Sequence, residues 1–86
     1  MKYQENVYYV FYFPYGWFKK GYLMGQCEDF VKANELFLNV IDLYSPVEES
    51  SKAVVTIEYL ADDQLINTAQ YCRLKDNKIV RRPPGL

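Results

Sequence analysis

Histidine is absent from the 86 residues, and cysteine, glycine and proline are scarce. Without histidine, the chain has no base for a Ser–His or Cys–His nucleophile pair and no imidazole ligand for a metal. Cys27 and Cys72 are too few for a disulfide scaffold and match no zinc spacing, so we expect two small apolar side chains in a reducing compartment. Glycine-rich phosphate-binding motifs and the serine nucleophile motif are also missing. These absences argue against an enzyme, and we expect no cofactor and no metal.

A large excess of positive or negative charge is lacking as well. The net charge of −1 argues against a nucleic-acid-binding protein, which normally carries a basic excess. The apolar run 7–18 is too short to span a bilayer, and its aromatic residues, Pro14 and Gly16 are not typical of a signal peptide. Since half of the residues are hydrophobic, we expect one small folded domain over residues 1–86, located in the cytoplasm and not bound to a membrane.

Aromatic residues are abundant: nine Tyr, five Phe and one Trp make up 17% of the chain. Residues 6–13 are predicted to form a strand that is apolar on both faces, which requires cover on both sides. Pro14 to Gly16 is typical of a turn, and residues 17–24 are predicted to form the return strand. The two faces of the first strand consist of Val7, Tyr9, Phe11 and Phe13 on one side and of Tyr8, Val10 and Tyr12 on the other.

The segment 27–44 is predicted to be a helix with one polar stripe. The polar residues recur at steps of three and four, and the remaining surface is apolar and should pack against a sheet. We expect Glu28 and Asp29 in the first helical turn and a helix end at Ser45-Pro46. The stripe comprises Glu28, Lys32, Glu35, Asn39 and Asp42.

Three further strands are predicted, over residues 53–60, 65–74 and 78–82, with turns at Asp62-Asp63 and Asp76-Asn77. The fold class is therefore α+β: a single helix packed on a largely antiparallel five-stranded sheet, in the order ββαβββ. The order of the strands within the sheet stays open.

Two resemblances bear on the fold. The succession of a hairpin, a helix and further strands is similar to β-grasp folds and to immunoglobulin-binding protein G-like folds. The sequence VVTIEYLADDQLINTAQYCRLKDNKIVR, residues 54–81, looks like the closing strands of nuclear transport factor 2-like domains. The N-terminal helices of that family have no counterpart here, so its pocket residues are not transferred.

The first hairpin is the first candidate surface. One helix covers only one face of a sheet, so the other face of the hairpin should be exposed unless a second copy, another protein, or a loop or tail of the same chain covers it. Exposed aromatic patches typically mark interfaces. The residues expected to bind a partner there are Tyr8, Tyr12, Tyr15, Trp17, Phe18 and Tyr22.

Charge supplies two more candidates. Residues 27–50 carry a net charge of −5 and residues 73–86 one of +4. Glu28, Glu35 and Asp42 are predicted to meet a basic partner surface, although a solvated helix face would look the same. The basic C-terminal segment suits a phosphate or single-stranded nucleic acid, or simply protects a sheet edge from pairing.

We therefore expect a small non-enzymatic protein-interaction module of the inhibitor or adaptor type, which binds another protein or a second copy of itself. Compact, acidic, tyrosine-rich domains of this kind resemble inhibitors carried by phages and mobile elements. The alternative is a small-ligand-binding or catalytic domain, similar to nuclear transport factor 2-like or cystatin-like domains. Its pocket would lie between the helix and a curved sheet, lined by Tyr59, Tyr71 and Phe37, with Glu58 as a base.

Overall fold

The fold is α+β, as the sequence predicts. A computed structural model describes residues 3–16, 19–44, 53–72 and 78–81. In these residues, one helix packs against a five-stranded antiparallel sheet. The elements are β1 (Tyr8–Phe13), β2 (Tyr22–Cys27), α1 (Phe30–Tyr44), β3 (Val54–Ala61), β4 (Gln64–Cys72) and β5 (Lys78–Arg81). In the sheet, the strands follow the spatial order β2-β1-β3-β4-β5.

The core beneath the helix is built on the central pair β1 and β3. Val10 lies opposite Ile57 and Tyr12 opposite Val55, so their side chains share the face that α1 covers. Aromatic and β-branched side chains fit this pleated surface well. The buried members of this cluster are Val10, Tyr12, Ala33, Phe37, Val40, Ala53, Val55, Ile57, Ala69 and Tyr71.

The opposite face of β1 is covered by the N-terminal segment of the same chain. The ring of Tyr3 lies edge-on to Tyr9, with ring centroids 4.8 Å apart, and 6.0 Å from the ring of Phe11. The backbone N–H of Gln4 donates a hydrogen bond to the hydroxyl of Tyr9, at 2.6 Å. The sequence leaves open whether a second copy, another protein or a segment of the same chain covers this face. Over this part of the sheet, a segment of the same chain does.

The helix begins at Phe30, three residues later than predicted. Cys27 is still part of the sheet, where it lies opposite Tyr8. Asp29 then caps the helix, because its Oδ1 accepts a hydrogen bond from the backbone N–H of Val31, at 2.8 Å. The prediction that Glu28 and Asp29 belong to the first helical turn is therefore wrong: both precede the helix.

The polar stripe of the helix is confirmed, since all five of its predicted residues are exposed. Two residues predicted to pack against the sheet, Val31 and Leu43, are exposed as well, with 63% and 68% of their surfaces accessible. At 100° per residue, Val31 and Leu43 flank the arc of the polar stripe, one on each side, so the exposed side of the helix is wider and the apolar face narrower than predicted.

The second strand comes later than predicted, at Tyr22–Cys27 instead of 17–24. Its pairing with β1 shifts at Met24, the position of a bulge. The next residue, Gly25, lies under the helix, where an added Cβ would be 2.6 Å from Cδ2 of Leu36. A glycine here lets α1 approach the edge of the sheet closely.

The tight turn predicted at Asp62-Asp63 is confirmed. These residues join β3 to β4, and both have left-handed backbone angles, with φ of 51° and 63°. Two left-handed residues match the twist of the flanking strands, and Asp tolerates this region better than most residues do. The predicted helix end at Ser45-Pro46, the turn at Asp76-Asn77 and the positions of Trp17 and Phe18 lie outside the described residues.

Because one side of α1 packs against the sheet and the other faces solvent, substitutions on the two sides should differ sharply in their effect on the free energy of unfolding. Phe37 is fully buried, so Phe37→Ala should lower the free energy of unfolding by about 3–5 kcal/mol, through lost burial and a cavity. The exposed Leu43 provides the control on the same helix, and Leu43→Ala should change it by less than about 0.5 kcal/mol. Urea unfolding followed by circular dichroism measures both. Equal losses in the two variants would contradict the observed orientation of α1.

Candidate interaction surfaces

Four of the six aromatic residues predicted to form a surface, Tyr8, Tyr12, Tyr15 and Tyr22, lie in the described part of the chain, and they are divided between the core and the solvent. Tyr12 is 7% exposed and belongs to the core beneath the helix. The half-buried Tyr8 contacts Phe30 and Tyr59, with ring centroids 5.3 and 4.6 Å away. Burial raises the pKa of the Tyr8 hydroxyl, and Tyr59 and Asp29 add to this increase. The expectation that Tyr8 and Tyr12 lie on the uncovered face differs from the structure, because the helix covers their face of β1.

Tyr15 and Tyr22 remain on the surface, with 63% and 50% of their areas exposed. Both lie at the end of the sheet where β1 leads into β2. The ammonium group of Lys20 lies 5.6 Å from the centroid of the Tyr22 ring, a cation–π distance. Of the four described residues of the predicted aromatic surface, Tyr15 and Tyr22 are therefore the exposed ones, and Tyr22 lies beside a lysine.

The exposed residues of α1, together with the exposed Glu28 just before it, are here called the outer helix stripe. It brings together the acidic residues predicted to bind a partner, Glu28, Glu35 and Asp42. It also includes two aliphatic side chains that the sequence pattern predicts to pack against the sheet. Val31 and Leu43 are twelve residues apart, which corresponds to about 18 Å along the helix axis. The stripe comprises Glu28, Val31, Lys32, Glu35, Asn39, Asp42 and Leu43.

The pocket of the alternative prediction is not assembled, because its residues lie on two sides of the sheet. Phe37 and Tyr71 are buried in the core beneath the helix. Glu58 lies opposite Tyr9, whose side chain packs on the other face. Strand alternation separates Glu58 from its neighbour Tyr59 in the same way. A Glu58 base therefore does not face Phe37, Tyr59 and Tyr71.

Glu58 is a half-buried carboxylate on the face away from the helix. Burial raises its pKa, and a hydrogen bond from the Thr56 hydroxyl to Oε2, at 3.3 Å, acts in the opposite direction. A carboxylate in a partly dry site is harder to ionise than one in water. Sequence alone did not indicate this environment, because it arises where the middle of β3 is flanked by β1 and β4.

Comparisons with family models, curated proteins and solved structures found no match to this chain. Among the described residues, no helix is long and apolar enough to cross a membrane. In the same part of the chain, His, Cys, Asp and Glu side chains form no group of three or more that could hold a metal ion.

The burial of Glu58 predicts a pH-dependent stability. Because burial raises the pKa of Glu58 above the ordinary 4.5, the folded protein holds the carboxyl proton more tightly than the unfolded chain does. The free energy of unfolding therefore falls as the pH rises from below 4.5 through the pKa of the folded protein. Glu58→Gln should therefore raise the urea midpoint at pH 7 and leave it nearly unchanged at about pH 3.5, where the glutamate is protonated in both states. Since the carboxylate is only half-buried, the gain should stay below about 1 kcal/mol.

The matched control is Glu35→Gln, which removes one carboxylate from the exposed side of the helix. Its urea midpoint should not rise at pH 7 relative to pH 3.5 as that of Glu58→Gln does. A Glu58→Gln variant that is less stable than the original protein at pH 7 would show that the ionised carboxylate supports the fold.

Proposed function

We propose that this protein is a non-enzymatic protein-interaction module of the inhibitor or adaptor type, which binds a basic protein surface through the outer helix stripe. The observation that carries the proposal is the exposure of Val31 and Leu43 on a helix whose opposite side is already packed. Their side chains contribute little to folding where they are. Removing them from water in a complex would release hydrophobic free energy.

The charges around these two residues indicate the kind of partner. Glu35 and Asp42 lie between Val31 and Leu43 along the helix, and the exposed Glu28 lies two residues before its first residue. Lys32 is the only cation among the stripe residues. A surface with apolar contacts at both ends and an excess of carboxylates suits a partner with apolar sockets surrounded by Arg or Lys.

The chemistry of the described residues supports a binding role more than a catalytic one. Glu58 is a single half-buried carboxylate, and two of the aromatic residues predicted to line a pocket, Phe37 and Tyr71, are buried in the core beneath the helix. The exposed groups with the most apolar area lie on the helix and at the hairpin end instead.

The proposal is tested by placing a photo-crosslinking amino acid at Val31 or at Leu43 in cells that express the protein. Both positions should cross-link to one and the same partner, which is then purified. Glu35→Gln combined with Asp42→Asn should weaken binding of that partner by about tenfold or more in calorimetry, because two attractive charges are lost.

A control variant separates this effect from a general change in charge. Gln4→Lys combined with Gln64→Lys also raises the net charge by two, at exposed positions outside the stripe, and should leave the affinity within about twofold. If both double variants bind equally well, the outer helix stripe is not the binding surface.

A further inference from the structure

The two edges of the sheet differ in how well they are protected from pairing with another strand. Among the described residues, β2 and β5 are the edge strands. The short β5 begins with Lys78 and ends with Arg81, and charges of this kind discourage edge-to-edge association. The six residues of β2, Tyr22–Cys27, include no charged residue and no proline. An edge of this composition is open to an added strand.

The charges that flank β2 indicate which strand would be added. Lys19 and Lys20 precede it, Glu28 and Asp29 follow it, and all four are exposed. In an antiparallel pair of two β2 strands, the beginning of each strand lies beside the end of the other. Each pair of lysines would then face the acidic pair of the second copy, at both ends of the contact. A parallel arrangement would instead bring like charges together, which is unfavourable.

The bulge in β2 selects the register of this pairing. Side chains that lie opposite each other in a sheet must point to the same face. Tyr22 lies opposite Tyr12 and Cys27 opposite Tyr8, so both point to the helix side, whereas Leu23 packs against the cluster on the other face. Because of the bulge at Met24, each β2 side chain lies opposite a side chain of the second copy on the same face of the sheet when the two residue numbers add up to 49. The opposing pairs are then Tyr22 with Cys27, Leu23 with Gln26, and Met24 with Gly25.

We infer that the occupant of the β2 edge is a second copy of this chain, paired antiparallel to form a continuous ten-stranded sheet. The symmetry axis would be perpendicular to the sheet, so both helices would lie on the same side of it. The β2 edge shares Glu28 with the outer helix stripe and is otherwise a separate surface, and this inference goes beyond the proposed function and does not depend on it.

Charge reversal tests the pairing in sedimentation equilibrium of the purified protein at low salt. In this register Lys19 lies diagonally across from Glu28 of the second copy, on the same face of the sheet. The original chain should form dimers, and Lys19→Glu or Glu28→Lys alone should weaken dimerisation by about tenfold or more, because each places like charges together. The double variant Lys19→Glu with Glu28→Lys restores opposite charges and should bring the dissociation constant back to within about threefold of the original.

Arg81→Glu is the matched control, since it makes the same charge change at an exposed position of β5, the opposite edge of the sheet. It should leave the dimer unchanged, and circular dichroism should show that all variants stay folded. The inference is overturned by a protein that stays monomeric at all concentrations, by a dimer insensitive to Lys19→Glu, by a double variant that restores nothing, or by an equal effect of Arg81→Glu.

The register has a test of its own, which uses the free cysteine of β2. Cys27 is free and half-buried, and in the proposed register it lies opposite Tyr22 of the second copy, at a separation that suits a disulfide. Tyr22→Cys should therefore give a covalent dimer on mild oxidation, and adding Cys27→Ser should abolish that cross-link. Lys32→Cys provides the control at an exposed site elsewhere. Equal cross-linking from position 32, or none from position 22, would overturn the register.

Discussion

The need to cover both faces of β1 is the constraint on which the rest of the structure depends. This strand lies inside the sheet between β2 and β3, and its side chains are apolar on both sides. One helix can cover only one of them. The other is covered where Tyr3 folds back onto Tyr9 and Phe11, and a hydrogen bond from the backbone of Gln4 to Tyr9 holds this segment in place. The chain thus uses its N-terminal residues in place of a second helix.

This use of aromatic residues changes which surfaces are available for binding. Tyr12 and Tyr9 are buried on opposite faces of β1, so they stabilise the sheet instead of contacting a partner. The exposed apolar groups are found on the helix and on the edges and ends of the sheet. Val31 and Leu43 are the most informative of these, because nothing in the described fold requires them to be apolar.

The two proposed surfaces would act together if both are used. Pairing through β2 places two outer helix stripes on the same side of a joint sheet, which would allow a dimer to hold two basic sites of one partner or of a repetitive partner. Such bivalent binding is stronger than either contact alone when the spacing of the sites matches. The bulge at Met24 affects both the proposed pairing and the packing of the helix. It sets the face to which each β2 side chain points, and it places Gly25 beneath the helix.

Much of the fold follows from the sequence by itself. Alternation in 53–60 and the period of three and four in the helix predict the element types, and the turn at Asp62-Asp63 predicts a hairpin that the structure contains. The exposed acidic residues Glu35 and Asp42 follow from the same helical period. What sequence alone left open was the strand order, because period-two alternation says which residues share a face and not which strands are neighbours.

Only the tertiary structure decided which face of β1 the helix covers. Both faces of this strand consist of aromatic and aliphatic residues, so the sequence pattern does not distinguish them, and Tyr12 lies in the core although the sequence predicts it at the surface. The helix start was likewise decided by tertiary pairing, since Cys27 joins β1 in the sheet before Asp29 can cap the helix. The environment of Glu58 also depends on tertiary structure: its raised pKa comes from burial among neighbouring strands, and a linear sequence does not contain that proximity.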